Sequence, residues 1–282
     1  MRGKLVDQDR FDYYDGPLTE YPWSVMNSEA KDLRDELLQN WQSMLGANLP
    51  EEAYQSFLAL NAGFFFLNAT NRFICIQKLR LGAEYVVDFV VAHDRHSDGP
   101  VWELVEIELP SSQPFTRDGV QSARFSRAIQ QVKNWERWIH DNRRDVEKLL
   151  PARGVRTKRD PTIIFSIVIG TRRGTSEWLD ERETLARERG INIISFDRLT
   201  DWARSRSCTD STWIFSSEEN SMPSVVRNQL ANPFAAAFSD AQWRTAVREV
   251  RAPYHLVASV AIGLLRHRPT NEVRFQEFIS KL

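Results

Sequence analysis

Val105-Glu106-Ile107-Glu108-Leu109-Pro110 is the stretch on which the fold and the chemistry turn. Side chains of an extended chain alternate between two faces, so Val105, Ile107 and Leu109 point into one layer and Glu106 and Glu108 into the other. Pro110 closes the run because it has no N–H to give a neighbouring strand. Two carboxylates side by side on so apolar a strand repel each other and lose hydration, which calls for a cation or hydrogen-bond donors. Taken alone, the six residues fit two cases, a functional acid pair or, the simpler of the two, the wet face of a half-buried strand.

The segments upstream weigh between these cases. The spacing predicts three strands: Phe73 to Leu79, Glu84 to Val91, and Val101 to Leu109, the last bounded by Gly99-Pro100 and Pro110. Asp88 is a lone acid in the apolar run Tyr85-Val86-Val87-Asp88-Phe89. If the second and third strands form a hairpin around a loop from His93 to Gly99, Asp88 and Glu106 lie opposite each other within a few ångströms. Together with Glu108 they make an oxygen-rich site suited to a hard divalent ion such as Mg²⁺. A metal there activates water and offsets charge on a phosphoryl group.

Downstream, apolar positions Phe125, Ile129, Val132, Trp135, Trp138 and Ile139 predict a helix from about Ser122 to Asn142. A basic loop leads to a strand over Ile163 to Ile169. A helix over about Ser176 to Arg189, a short strand over Ile191 to Phe196 and a helix from Asp197 follow. Before the strands, a helix capped by Ser28 carries Leu33, Leu37, Trp41 and Leu45 up to Gly46, and a second starts at Pro50, with Glu51 and Glu52 at its positive end. The order gives an α/β fold, a mixed sheet flanked by helices. Its expected parts are an N-terminal arm and helix over residues 1–49, a core over 50–215 and a small helical appendage over 216–282.

Composition excludes several classes. The 282 residues hold 37 Lys plus Arg against 38 Asp plus Glu, a net charge of −1, which suits a globular chain with a substantial core rather than a disordered or collagenous one. The apolar run Tyr254 to Leu265 is too short to span a bilayer, and the charged residues of Met1 to Asp12 give no secretory signal, so the expected location is the cytoplasm. Two cysteines, Cys75 and Cys208, offer neither a disulfide scaffold nor a structural zinc site. Charge is unevenly spread: residues 1–36 hold 5 basic and 9 acidic side chains, whereas 143–160 hold 7 basic and 3 acidic. The basic segment, with Arg153, Arg156 and Lys158 at its centre, is a candidate phosphate contact, against the simpler case of a solvated helix end and loop.

Other candidates are weaker. His93, Asp94 and His96 fall in the expected hairpin loop and lack the further histidine of a metal site. Gly170 to Gly174 follows a strand as an anion loop would, through Arg172 and Arg173, but has no Lys-Ser/Thr. Trp135 and Trp138 fit a buried helix face better than a base-stacking platform.

The Asp of the second strand and the acid-x-acid of the third resemble the PD-(D/E)XK nuclease fold. More narrowly, DFVV, WELVEIELP, PFTRDG, AIQQVKNWERWI, IVIGTRR and ISFDRL, in that order between Pro50 and Ala203, resemble the nuclease domain of the Shedu anti-phage defence family. The resemblance implies a DNA endonuclease using Mg²⁺ or Mn²⁺, and a homo-oligomer. It implies metal binding by Asp88 and Glu106, a catalytic part for Gln131, and an acid at Glu51 or Glu52, with Glu108 expected to complete the metal shell or orient the attacking water. The departure is Glu108, where most PD-(D/E)XK enzymes place Lys. The alternatives are a nucleic-acid or partner-binding module that has kept the fold, and a nuclease held inactive by its own arm or appendage.

Overall fold

Five strands form one sheet in the order β1-β2-β3-β4-β5. The computed structural model describes residues 35–66, 72–94, 100–150, 161–172 and 178–205. The strands are β1 (Arg72–Leu81), β2 (Tyr85–Asp94), β3 (Pro100–Ile107), β4 (Thr162–Val168) and β5 (Ile191–Ile194). The first three run antiparallel as a meander, and β3, β4 and β5 run parallel, so the sheet is mixed. The helices are α1 (35–46), α2 (Glu51–Leu60), α3 (Ala62–Phe65), α4 (Ala123–Asp141), α5 (Arg143–Leu149), α6 (Leu179–Arg189) and α7 (Phe196–Ser205). The expected α/β architecture is therefore present in the core. The arm before residue 35, the appendage over 216–282, and Arg153, Arg156 and Lys158 lie outside the described residues.

Local chemistry sets the boundaries. Ser122 caps α4 by accepting from the Phe125 N–H at 3.2 Å, satisfying one of the orphan donors of the first turn. Gly190, with φ of 64°, ends α6 in the left-handed conformation that a residue with a Cβ adopts at a cost. Between α1 and α2, the Tyr54 hydroxyl accepts from Leu49 N–H at 3.1 Å and donates to the Met44 carbonyl at 3.0 Å, which pins the turn.

The two faces of the sheet are covered differently. Trp41 sits in a ring of Tyr54, Phe57, Phe65 and Phe196, and its Nε1 donates to Thr200 at 2.9 Å, which joins α1, α2, α3 and α7. Phe66, at the end of α3, packs on Phe89 of β2 with ring centroids 4.8 Å apart. Asp88, one residue earlier in the strand, therefore points to the opposite face, and α4 lies across that face.

One expectation needs correction, and one weak candidate falls away. The hairpin loop was placed from His93, but β2 continues through Asp94 because His93 is anchored by Glu103 of β3 at 2.5 Å. Arg143 to Leu149, the first part of the basic segment, forms a short separate helix after α4. Gly170, with φ of 69°, serves close backbone packing rather than a phosphate cradle: a Cβ there would lie 2.6 Å from the Ser112 carbonyl. Arg172 is likewise engaged, its guanidinium on Asp201 and its N–H on Asp197 at 2.6 Å.

Candidate active site at the fork between two strands

The β2–β3 ladder runs from Asp94↔Pro100 to Phe89↔Val105. One step further in the same register Asp88 stands across from Glu106. There the Asp88 side chain replaces the backbone as acceptor, its Oδ2 taking the Ile107 N–H at 2.9 Å. Beyond this fork β3 stays with β4, through Glu106↔Ile167, Ile107↔Val168 and the Glu108 N–H on the Val168 carbonyl at 2.9 Å. Glu106 and Glu108 keep the strand alternation, so both acids of the motif reach the same opening.

The side chains around the fork form a connected network. Gln131 of α4 donates from Nε2 to Glu106 Oε2 at 3.0 Å. Arg124, the second residue of α4, reaches Glu51 Oε2 at 3.4 Å and Glu108 Oε2 at 3.3 Å. Gln55 of α2 donates to Glu51 Oε1 at 3.0 Å and accepts from Lys78 Nζ at 2.5 Å. Lys78 in turn pairs with Asp88 Oδ1 at 2.6 Å. The sequence left Glu51 and Glu52 as equal candidates. The helical phase separates them: Glu51 faces the fork and Glu52 is exposed.

Burial and like charge set the electrostatics. Asp88, Glu106 and Glu108 are 5%, 6% and 7% exposed. Glu106 is pushed far above the ordinary carboxylate range, first by burial and then by Asp88, Glu108 and Glu51. Glu51 is raised to about 7 by burial and by the charges of Glu108 and Asp88, with Arg124 opposing. Glu108 is raised by burial against the pull of its Arg124 hydrogen bond. Lys78 contacts Asp88, Arg124 contacts Glu51 and Glu108, and burial with like charge favours the protonated forms of Glu51, Glu106 and Glu108.

Lys78, Gln55 and Arg124 were not found by sequence reasoning. Lys78 looked like one polar position of an alternating strand, but the alternation fails there. Cys75, Ile76, Leu79 and Leu81 are buried, while Gln77, Lys78 and Arg80 are exposed. The cause is a left-handed backbone at Lys78, φ of 52°, a conformation that costs a residue with a side chain on the order of 1 kcal/mol. The ladder pairs Gln77 with Phe89 and Leu79 with Val87, which leaves Lys78 across from Asp88.

The donor set, all carboxylate oxygen in a crowded anionic opening, fits a hard divalent cation. Its atoms are engaged by Lys78, Gln131 and Arg124, and among the described residues no group of three or more His, Cys, Asp or Glu is drawn together as a metal cage. Residues 48–200, just over half of the chain, match the family model described as Shedu protein SduA, C-terminal. No curated protein matches the chain.

Proposed function

We propose, because the chain belongs to the Shedu SduA family, that it is a DNA endonuclease dependent on Mg²⁺ or Mn²⁺, built on a PD-(D/E)XK-like core. Membership of this family suggests a role in anti-phage defence, and the resemblance extends that role to a homo-oligomer. Among the described residues no helix is long and apolar enough to cross a membrane. The observation that carries the reading is the fork itself, where Asp88, Glu106 and Glu108 meet Glu51 at the point where two strands separate.

Asp88, Glu106 and Glu108 would hold the ion. A bound divalent ion supplies a more acidic water and positive charge beside the phosphate. Hydrolysis adds the water oxygen to phosphorus and breaks one P–O ester bond; the chain takes up the proton that the attacking water loses, and the departing ester oxygen gains a proton and leaves as a hydroxyl. Glu51, raised to about 7, is matched to receiving a proton near neutral pH. Gln131, holding Glu106 at 3.0 Å, fixes that carboxylate's direction and leaves its amide oxygen available to a water or a nucleotide. Incubating supercoiled plasmid with the protein in Mg²⁺ or Mn²⁺, with EDTA as control, tests the reading. Metal-dependent nicking or linearisation is expected, and an intact plasmid in both metals overturns it.

One observation favours the alternative of a DNA- or partner-binding module. Position 108 carries an acid where most such enzymes carry Lys, and the cations present already bond the acids. A protein that binds DNA equally well with and without metal, and cuts none, would match that case.

A further inference from the structure

We propose that Lys78 is the fixed cation of this site, delivered from β1 in place of a lysine at position 108. The inference rests on the nuclease reading above and adds a residue to it. Three observations carry it. Lys78 Nζ lies 2.6 Å from Asp88 Oδ1 and 2.5 Å from Gln55 Oε1, so its ammonium is held at the acids and not left to wander in solvent. Gln55 is itself 4% exposed and oriented by Glu51, whose Oε1 accepts one hydrogen bond from its amide, so that its carbonyl oxygen accepts from Lys78. The backbone at Lys78 is left-handed in the middle of a strand, where a regular extended residue would cost nothing.

The ammonium is also open to a ligand. Its side chain keeps 45% of its surface in solvent, against 8% for Asp88, so an incoming phosphodiester can reach the cation while the acid stays covered. Arg124 is the other cation in contact with the acids, but its bonds to Glu51 and Glu108, at 3.4 and 3.3 Å, are longer, and it touches neither Asp88 nor Glu106 in any bond described here. Lysine suits the post because a compact ammonium on a flexible stem can keep Asp88 oriented and still turn one of its three donors to a phosphate oxygen.

Two consequences oppose each other, which makes the proposal easy to break. Lys78 competes with a divalent ion for Asp88, so removing it should tighten metal binding. It also supplies positive charge where negative charge gathers on the phosphate, so removing it should slow cleavage. A side chain with a merely structural role would weaken both. The experiment compares wild type, Lys78→Met, Lys78→Gln, Lys78→Arg and Lys78→Met/Glu108→Lys. Mn²⁺ affinity is measured by calorimetry without DNA, and plasmid cleavage at saturating Mn²⁺.

Lys78→Met should bind Mn²⁺ about threefold to tenfold more tightly, as expected for release of a partly exposed ion pair. It should cleave about a hundredfold more slowly, the scale of losing one charge-stabilising donor. Lys78→Arg should regain at least about a tenth of the wild-type rate, and the double variant a smaller share above that of Lys78→Met, because it gives up Glu108 as a holder of the ion. Lys78→Gln should repeat the metal result if the methionine variant fails to fold. Weaker Mn²⁺ binding in the folded neutral variants, wild-type cleavage by Lys78→Met, or no rescue by either cationic variant overturns the role of Lys78. A wild type that cuts no DNA overturns the nuclease reading instead, and the two failures are told apart by that single lane.

Discussion

Glu103 and Glu106 stand three residues apart on β3, both almost fully buried, and they live in opposite company. Glu103, 3% exposed, is answered on both oxygens: His93 Nε2 lies 2.5 Å from Oε2, and the Ser166 hydroxyl bonds Oε1, itself approached by Asn192 at 3.2 Å. These partners come from β2, β4 and β5, so the acid ties the sheet together. Glu106, 6% exposed, receives one hydrogen bond from a neutral amide and faces three other acids. Burial of an acid is therefore no sign of function by itself. What separates the two is whether the surrounding residues satisfy the charge or add to it.

The largest effect that could break this contrast is catalytic. Asp88→Ala and Glu106→Ala should each lower plasmid cleavage by about a thousandfold or more, close to 4 kcal/mol of barrier, while DNA binding and the fold persist. Glu103→Gln should leave the cleavage rate of the folded fraction near wild type. Equal losses in all three would mean that the two acids are not different in kind.

The next effect is on stability, and its sign should differ across the strand. Removing one member of a buried hydrogen-bonded charge network costs about 3 kcal/mol or more, so Glu103→Ala should lower the denaturation midpoint strongly. Glu106→Gln should do the reverse in the absence of metal, raising stability by on the order of 1 kcal/mol, because the amide keeps the Gln131 bond and removes a group that burial and like charge hold far above its unfolded pKa. Urea unfolding with EDTA present measures both.

A smaller effect is the pH dependence of the metal-free protein. Glu51, Glu106 and Glu108 all have raised folded pKa values, so above their ordinary value of 4.5 the unfolded state releases protons that the folded state keeps. Stability should thus fall as pH rises from about 4.5, with the share of Glu51 spent by about pH 7 and that of Glu106 continuing above it. Saturating Mn²⁺ should flatten the slope, since bound metal displaces those protons. A metal-free melting curve that gains stability between pH 5 and pH 7 would contradict the assignment of these shifts.

Much of the frame was legible in the sequence, and the reasons are physical. Apolar and β-branched runs bounded by turn residues mark β1 to β5 to within a few residues, and the apolar face from Phe125 to Ile139 marks α4. Isolated acids in apolar strands flag Asp88 and Glu106 because hydration is too strong to surrender without purpose. The helical position of Gln131 came from the family resemblance and lies at Glu106 as that resemblance implies. What escaped notice was whatever depends on phase or backbone hand. Choosing Glu51 over Glu52 requires knowing how α2 is rotated against the sheet. Lys78 reads as an ordinary outward lysine, since no side-chain pattern announces a left-handed residue inside a strand. The His93–Glu103 pair was hidden because ten residues separate its members across a hairpin whose turn was placed too early.

The central claim is that the fork is a seat for a divalent cation that the protein's own cations only partly replace. Thermal unfolding of wild type and Glu106→Gln, each with EDTA and with saturating Mn²⁺, addresses it directly. The account predicts a clear rise in wild-type Tm with Mn²⁺ and little or none for Glu106→Gln, because the metal relieves a repulsion that the substitution has already removed. No rise in the wild type, or an equal rise in both proteins, would contradict it.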